Sequence, residues 1–292
     1  MIKFPEIINI PLAEVVDNLM DWLLTHLGGF FDVVGLIILR VVMAFEDVFL
    51  YIPWFVLVLL VGLAGWKLIK SVKTGILFMT LMMIIGFFGY WELAMQTLAL
   101  VVSSVVFALL IGLPMGVLMA RNNQAEIILK PILDGMQTMP SFVYLIPALM
   151  FFGMGKVPSL FATIIYAVPP VIRLTNVGIR TVDVEAVEAA KAFGATSRQI
   201  LYDVQLPLAK PTIMVGINQT TMMALSMVVI GSMIGAKGLG MEVLLAIGRI
   251  EVGRGFEAGI SIVFLAIIID RITFSFSEKK TKVKNKTQED KK

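Results

Sequence analysis

From Tyr51 onward the chain is a series of long apolar stretches separated by short polar ones, and within many of those stretches no charged face recurs at helical spacing. "FVLVLLVGLAGW" (Phe55 to Trp66) and "ISIVFLAIII" (Ile260 to Ile269) contain no ionisable residue at all. A helix in a soluble domain would keep one polar face, so the pattern makes the bilayer the solvent. At about 20 residues per crossing, with allowance for tilt, it predicts spans over 52–69, 74–91, 95–120, 130–153, 157–178, 208–234 and 257–275. Residues 1–51 read differently. "FFDVVGLIILRVVMAFEDVFLYI" keeps Asp32, Arg40, Glu46 and Asp47 among its hydrophobes, which is too much charge for a comfortable span. An amphipathic helix lying in the membrane interface is the expectation there.

Several predicted spans contain breakers: Pro114, Pro140, Pro147, Pro169, Pro170 and Pro211, with Gly112, Gly116, Gly153, Gly155, Gly231 and Gly235. Freed backbone groups in lipid must be satisfied by neighbouring helices, hydroxyl side chains or water, and such kinks often border cavities and moving parts. They favour a transporter or channel over a passive anchor, with ordinary structural kinks as the plain alternative.

Composition sharpens this reading. Of 292 residues, 58% are hydrophobic and 15% charged, against roughly 25% charged in an average soluble domain. There is no cysteine and one histidine, His26, so the chain alone offers no disulfide framework, thiolate site, cysteine nucleophile or multi-histidine metal site. The net charge of +3 is unevenly spread, which bears on topology and not on nucleic acid. "KLIKSVK" between the first two spans should face the cytoplasm, and alternation then places "RNNQAEIILK", the stretch from Arg180 to Lys210 and the lysine tail inside as well. Residues 1–51 fall outside, where Lys3 and Arg40 are outweighed by Glu6, Glu14, Asp17, Asp21, Asp32, Glu46 and Asp47. The weakest boundary is near "FFGMGKVPS", where Lys156 sits in a very short outer turn that tolerates a single lysine. The first twenty residues carry acids and prolines in place of a basic, then apolar, leader, so no cleavable signal peptide is expected.

One polar insert interrupts the later spans. In "RTVDVEAVEAAKAFG", Asp183 and Glu185 suit a helix N-terminus and Gly194 suits its close. Ala186, Ala190 and Phe193 are expected on one face of this helix, with Glu188 and Lys191 able to pair on another. A second helix opens at "TSRQ", where Thr196 and Gln199 have capping-box spacing. The insert ends at "LPLAKP", where Pro207 and Pro211 suit the opening of a membrane helix. A self-capped helix–turn–helix is more than a tether requires. It reads as a docking surface, or more plainly as a stabilised loop capping the bundle.

Glu188-Ala189-Ala190, three residues, Gly194, nine residues, Val204, one residue, Leu206-Pro207 is similar to the EAA loop of permease subunits of ATP-binding-cassette importers, with valine where isoleucine is frequent. The resemblance runs from about Trp91 to Arg271. "GMQTMPSFVYLIPALMFFGMGKVP", "AVPPVIRLTNVGI" and "VGINQTTMMALSMVVIGSMIGAKGLG" resemble the glycine betaine/proline betaine branch. It implies an all-α membrane protein, a multi-span bundle of the binding-protein-dependent (MetI-like) permease fold. The divisions would be an extracytoplasmic or interfacial amphipathic segment (1–51), two accessory helices (52–91), a core permease domain (92–275) with coupling loop 181–207, and a basic cytoplasmic tail (276–292). In that family the loop couples the permease to a cytoplasmic ATPase, so Glu188, Ala189, Ala190, Gly194, Leu206 and Pro207 are the implied coupling residues. The resemblance further implies a homodimer in the bacterial cell membrane, two ATPase subunits that carry the ATP and magnesium, and a separate extracytoplasmic substrate-binding protein.

A wet path through the bundle needs inward polar groups. Gln137, Thr138, Ser141 and Tyr144 in the fourth span, with Asn218, Gln219, Thr220, Thr221 and Ser226 in the sixth, are the candidates; each could instead bond between helices. "GAKGLG" lacks the G-x-x-x-x-G-K-[ST] arrangement of a phosphate loop, so no nucleotide chemistry and no catalytic or metal residue is expected in this chain. Membrane lipids are expected contacts, above all for the lysine tail. An importer of choline, carnitine, proline or methionine is the alternative within transport. A channel or secondary transporter is the alternative outside this class, though neither inverted repeats nor deep carboxylates are evident.

Overall fold

The computed structural model describes residues 11–278, and these are almost entirely helical. The lysine-rich stretch 279–292 and the first ten residues, on which the tail and part of the N-terminal segment were read, lie outside the described residues. The helices are α1 (Leu12–Tyr51), α2 (Trp54–Ile69), α3 (Val72–Phe87), α4 (Trp91–Arg121), α5 (Asn123–Thr138), α6 (Leu145–Phe152), α7 (Lys156–Arg180), α8 (Val184–Ala192), α9 (Ser197–Gln199), α10 (Leu206–Gly231), α11 (Leu239–Arg249) and α12 (Val252–Glu278). Four of them, or six when two bent pairs are each taken as one span, are long and apolar enough to cross a membrane. The bent pairs are α1 with α2, at 100°, and α5 with the Ser141–Phe152 segment, at 110°. The single span expected over 130–153 is thus broken. Met139 and Pro140 are extended, and proline also disfavours helical backbone in the residue before it.

α4, α7 and α10 form the centre, and small residues let them approach. A Cβ on Gly116 of α4 would lie 2.5 Å from Thr175 Cβ and 2.8 Å from the Ile172 carbonyl oxygen of α7. Gly216 and Gly231 of α10 meet α7 in the same manner, at Leu174 and Ser159. Lipid supplies no hydrophobic drive between helices, so such close backbone packing is what holds a membrane bundle together.

α1 packs on this centre through Ile38 and Val42, which join Leu100, Val101, Leu160 and Ile164. Phe31 stacks on Phe151 of α6 at 4.1 Å between ring centres. Glu46 forms an ion pair with Lys156, so the lysine of this short outer turn is neutralised by α1. At the same end, α12, the span expected over 257–275, forms a helical hairpin with α11, which the hydropathy pattern does not mark. Its base is pinned by the Leu239 amide, which donates to Thr97 Oγ1 at 2.9 Å, and Arg254 bridges Glu242 and Glu251 across the turn. Tyr90, just ahead of α4, has its phenol raised above the ordinary 10.0 by burial, with the charges of Glu257 and Glu242 adding to it and Arg254 opposing.

Candidate functional site

The basic end of the bundle carries the elbow. Asp183 caps α8, accepting from the Glu185 amide at 3.0 Å, and Gly194 closes the helix at φ +78°. The capping box opening α9 is present, with Gln199 Oε1 accepting from the Thr196 amide at 2.8 Å and Thr196 Oγ1 accepting from the Gln199 amide. Pro207 stands in the first turn of α10, as its position suggested, and Pro211 lies inside that helix, but the chain does not enter α10 from a loop. It passes through a π-helical stretch, Ile200–Gln205, in which the Leu206 amide bonds back to the Leu201 carbonyl. Pro207 has no N–H, so the helix loses nothing by widening just before it.

The elbow has a buried and an open side. Val182, Leu201 and Ala209 bury themselves with Ile179 and Ile213, and Val187 and Leu206 pack against that cluster. Ala186 and Ala190 are half-buried. Phe193 does not share their face, because the helix ends at Ala192 and turns its ring out, 93% exposed. Glu188, Ala189 and Gly194 are exposed with it, whereas Leu206 and Pro207 are half-buried where the elbow meets α10. No ion pair joins Glu188 to Lys191, both lying on the solvated face where such pairs gain little.

Directly before the elbow stands a polar knot that the sequence reading missed. Arg180, the last residue of α7, donates through Nε to Asn176 Oδ1 at 2.9 Å, and through NH2 to the Met119 carbonyl at 2.8 Å and Asn123 Oδ1 at 2.9 Å. It also pairs with Glu126 at 3.0 Å, whose other oxygen accepts from Asn176 Nδ2 at 3.0 Å. One guanidinium thus ties the ends of α4, α5 and α7 at the root of the elbow. Two turns further along α7, Arg173 pairs with Asp134 of α5. The signal available was Arg173 and Arg180 seven apart, facing Glu126 and Asp134 eight apart; the arginine ending α7 had been taken only as a marker of orientation.

The candidate path residues divide into two groups. Gln137 and Thr138 are exposed at the end of α5, Ser141 is half-exposed at the break, and Gln219 and Ser226 are exposed on α10. Gln137, Thr138 and Ser141 thus make an uncovered polar row running from the end of α5 into the break, while Gln219 and Ser226, seven apart, share a face of α10. Tyr144 is buried, its hydroxyl donating to the Met136 carbonyl across the break and its ring edge-on to Tyr166 at 5.9 Å. Asn218 donates to Asp270 of α12 at 3.0 Å, Thr220 is fully buried, and Thr221 is buried and bonds the Ile217 carbonyl of its own helix.

Comparison with known proteins agrees with this architecture. The sequence model of the family described as binding-protein-dependent transport system inner membrane component matches residues 108–281. The glycine betaine/carnitine transport permease protein GbuB of Listeria monocytogenes is 51% identical over 94% of this chain and 98% of its own. ProW, the glycine betaine/proline betaine transport system permease protein of Escherichia coli, is 47% identical over 90% of this chain and 74% of its own. OpuAB, the glycine betaine transport system permease protein of Bacillus subtilis, is 44% identical over 93% and 96%. Among solved structures, an inward-facing conformation of the MetNI methionine ABC transporter superposes with a TM-score of 0.58 at 24% identity, covering 64% of this chain and 95% of that one, a likeness of fold.

Proposed function

The chain belongs to the inner-membrane components of binding-protein-dependent transport systems, and on that premise we propose that it is the membrane-spanning permease subunit of an ATP-driven importer of glycine betaine or a closely related compatible solute. Two copies would form the path, two ATPase subunits would dock at the basic, cytoplasmic end, and a separate binding protein would deliver solute at the other. ATP and magnesium belong to the ATPase; this chain supplies the path and the lever.

The observation that carries the coupling role is the elbow and its root. Glu188 and Ala189 on α8, with Phe193 and Gly194 at its close, are presented outward, while Val187 on the opposite side packs on the Ile179–Leu201–Ile213 cluster. The Arg180 knot joins that root to α4, α5 and α7 at once. A push on α8 is therefore delivered to the helices that flank the polar row. Rigid elements joined through a packed hinge transmit such motion without bending continuously. The solute assignment is supported by the near-full-length likeness to three permeases named for glycine betaine.

The test is reconstitution in vesicles with the cognate ATPase and binding protein. ATP-dependent glycine betaine uptake is expected, and absence of uptake with a binding protein that holds betaine would defeat the substrate assignment. In the same vesicles Glu188→Ala should assemble yet lose most solute-stimulated hydrolysis and uptake, whereas parental rates would defeat the docking role.

A further inference from the structure

The Arg173–Asp134 pair sits where a stabilising surface bridge would not. Arg173 is seven residues in from the end of α7, about 10 Å along a helix rising 1.5 Å per residue. α7 is also one of the helices long and apolar enough to cross the membrane alone. The pair is nevertheless open on one side, with 38% of the arginine side chain and 52% of the aspartate side chain accessible. Charges at such depth are too costly to face lipid, so the open side faces water or a second copy of the chain. The polar row continues from it. Gln137 and Thr138 lie three and four residues beyond Asp134 on the same face of α5, and Thr138 Oγ1 donates to the Asp134 carbonyl. Ser141 follows at the break. Beyond it Tyr144 and Leu145 pack with Met227 and Ile230 of α10, beside the exposed Ser226.

We propose that Arg173 and Asp134 form a substrate station on the inner half of the translocation path, where a zwitterion's carboxylate and ammonium exchange with the two partners of the pair. The inference rests on the importer reading above and assigns residues to it. The guanidinium fork matches a carboxylate through two parallel N–H donors. The aspartate freed by that contact balances a positive head, including a quaternary ammonium that has no proton to donate. Exchange with a zwitterion leaves the net charge of the site unchanged. A simple cation or anion would strand one partner uncompensated, a modest penalty for a pair this open that still favours the zwitterion. The pair is therefore also a filter by net charge. Glu126 and Arg180, which engage each other a turn or two nearer the basic end, leave Arg173 and Asp134 to one another.

The competing role is a plain tie between α5 and α7. Replacing an ion pair by apolar residues of similar volume is usually tolerated for stability, so the double variant Asp134→Leu/Arg173→Met separates the two. In vesicles holding permease, ATPase and betaine-loaded binding protein, the quantity read is glycine betaine imported per ATP hydrolysed, beside the unfolding midpoint of the purified assembly. A station predicts a ratio lowered about tenfold or more, the loss of charge-assisted contacts to solute, at a retained midpoint. A parental ratio overturns the inference. Should the double variant prove unstable, Arg173→Lys keeps the charge and loses the fork. It is expected to lower the ratio severalfold, and a parental ratio there overturns the inference as well. Parental vesicles that take up no betaine would sink the importer reading and this inference together, whereas parental uptake with indifferent variants sinks the inference alone.

Discussion

Arg180 shows what a single side chain contributes when its geometry cannot be copied. Its donors reach a backbone carbonyl and two asparagine amide oxygens, and the same guanidinium pairs with a carboxylate. Lysine at that position would keep the charge but could not fill all four directions from one ammonium. Arg180→Lys is expected to cost about 1.5–3 kcal/mol, the net worth of one hydrogen bond to a charged group, read from the denaturation midpoint of the assembly. Because the knot is the root of the elbow, it should also lower uptake more than hydrolysis; equal falls would make the residue structural only. None of this was legible from composition or spacing, since an arginine at a helix end in a membrane protein reads first as a topology signal. The elbow's caps and turn were legible, because their spacing is local and chain neighbours fix their geometry.

At the level of elements, the sequence carried whatever short-range chemistry decides. The Asp183 cap, the Gly194 stop and the Thr196–Gln199 box are all present where spacing placed them. Gly194→Val puts a β-branched residue at φ +78°, a backbone penalty of roughly 1–2 kcal/mol. With no atom near its Cβ position, the effect should come from that strain and not from a clash. Uncoupled hydrolysis with normal membrane insertion is the expected phenotype, and wild-type coupling would mean the turn tolerates the change. What could not be read was how elements meet. Hydropathy sees 130–153 as one apolar run and cannot see a 110° turn within it. Nor does it register α11, an amphipathic helix too short to count as a span, whose place depends on Thr97 far away in sequence. The contact of Gly116 with Thr175 is of this kind too. Gly116→Leu should prise α4 from α7 and lower the yield of folded protein in the membrane, measured by size-exclusion profile, because the backbone of α7 cannot give way.

Across the whole molecule, two ends of different character emerge. One gathers Lys67, Lys70, Lys73, Arg121, Arg180 and the elbow, with basic residues in excess; the other holds the Glu46–Lys156 clip and the α11–α12 hairpin, where Glu242, Glu251 and Glu257 are balanced by Lys237, Arg249 and Arg254. By the basic-residue rule the first end is the one expected to face the cytoplasm. The hairpin tip gives a sharp way to test the orientation, since Ile250 is 84% exposed and adopts φ +59°, a conformation that a β-branched residue resists. Ile250→Cys removes that branching, and the chain has no other cysteine to confuse a thiol label. In intact cells an impermeant maleimide should modify Ile250→Cys, whereas Ser197→Cys, exposed on the elbow, should react only after the membrane is permeabilised. The reverse pattern would place the elbow outside, beyond reach of any ATPase. The coupling role of Glu188, the knot at Arg180 and the inner station at Arg173 would then all lose their footing, because each depends on the basic end facing the nucleotide.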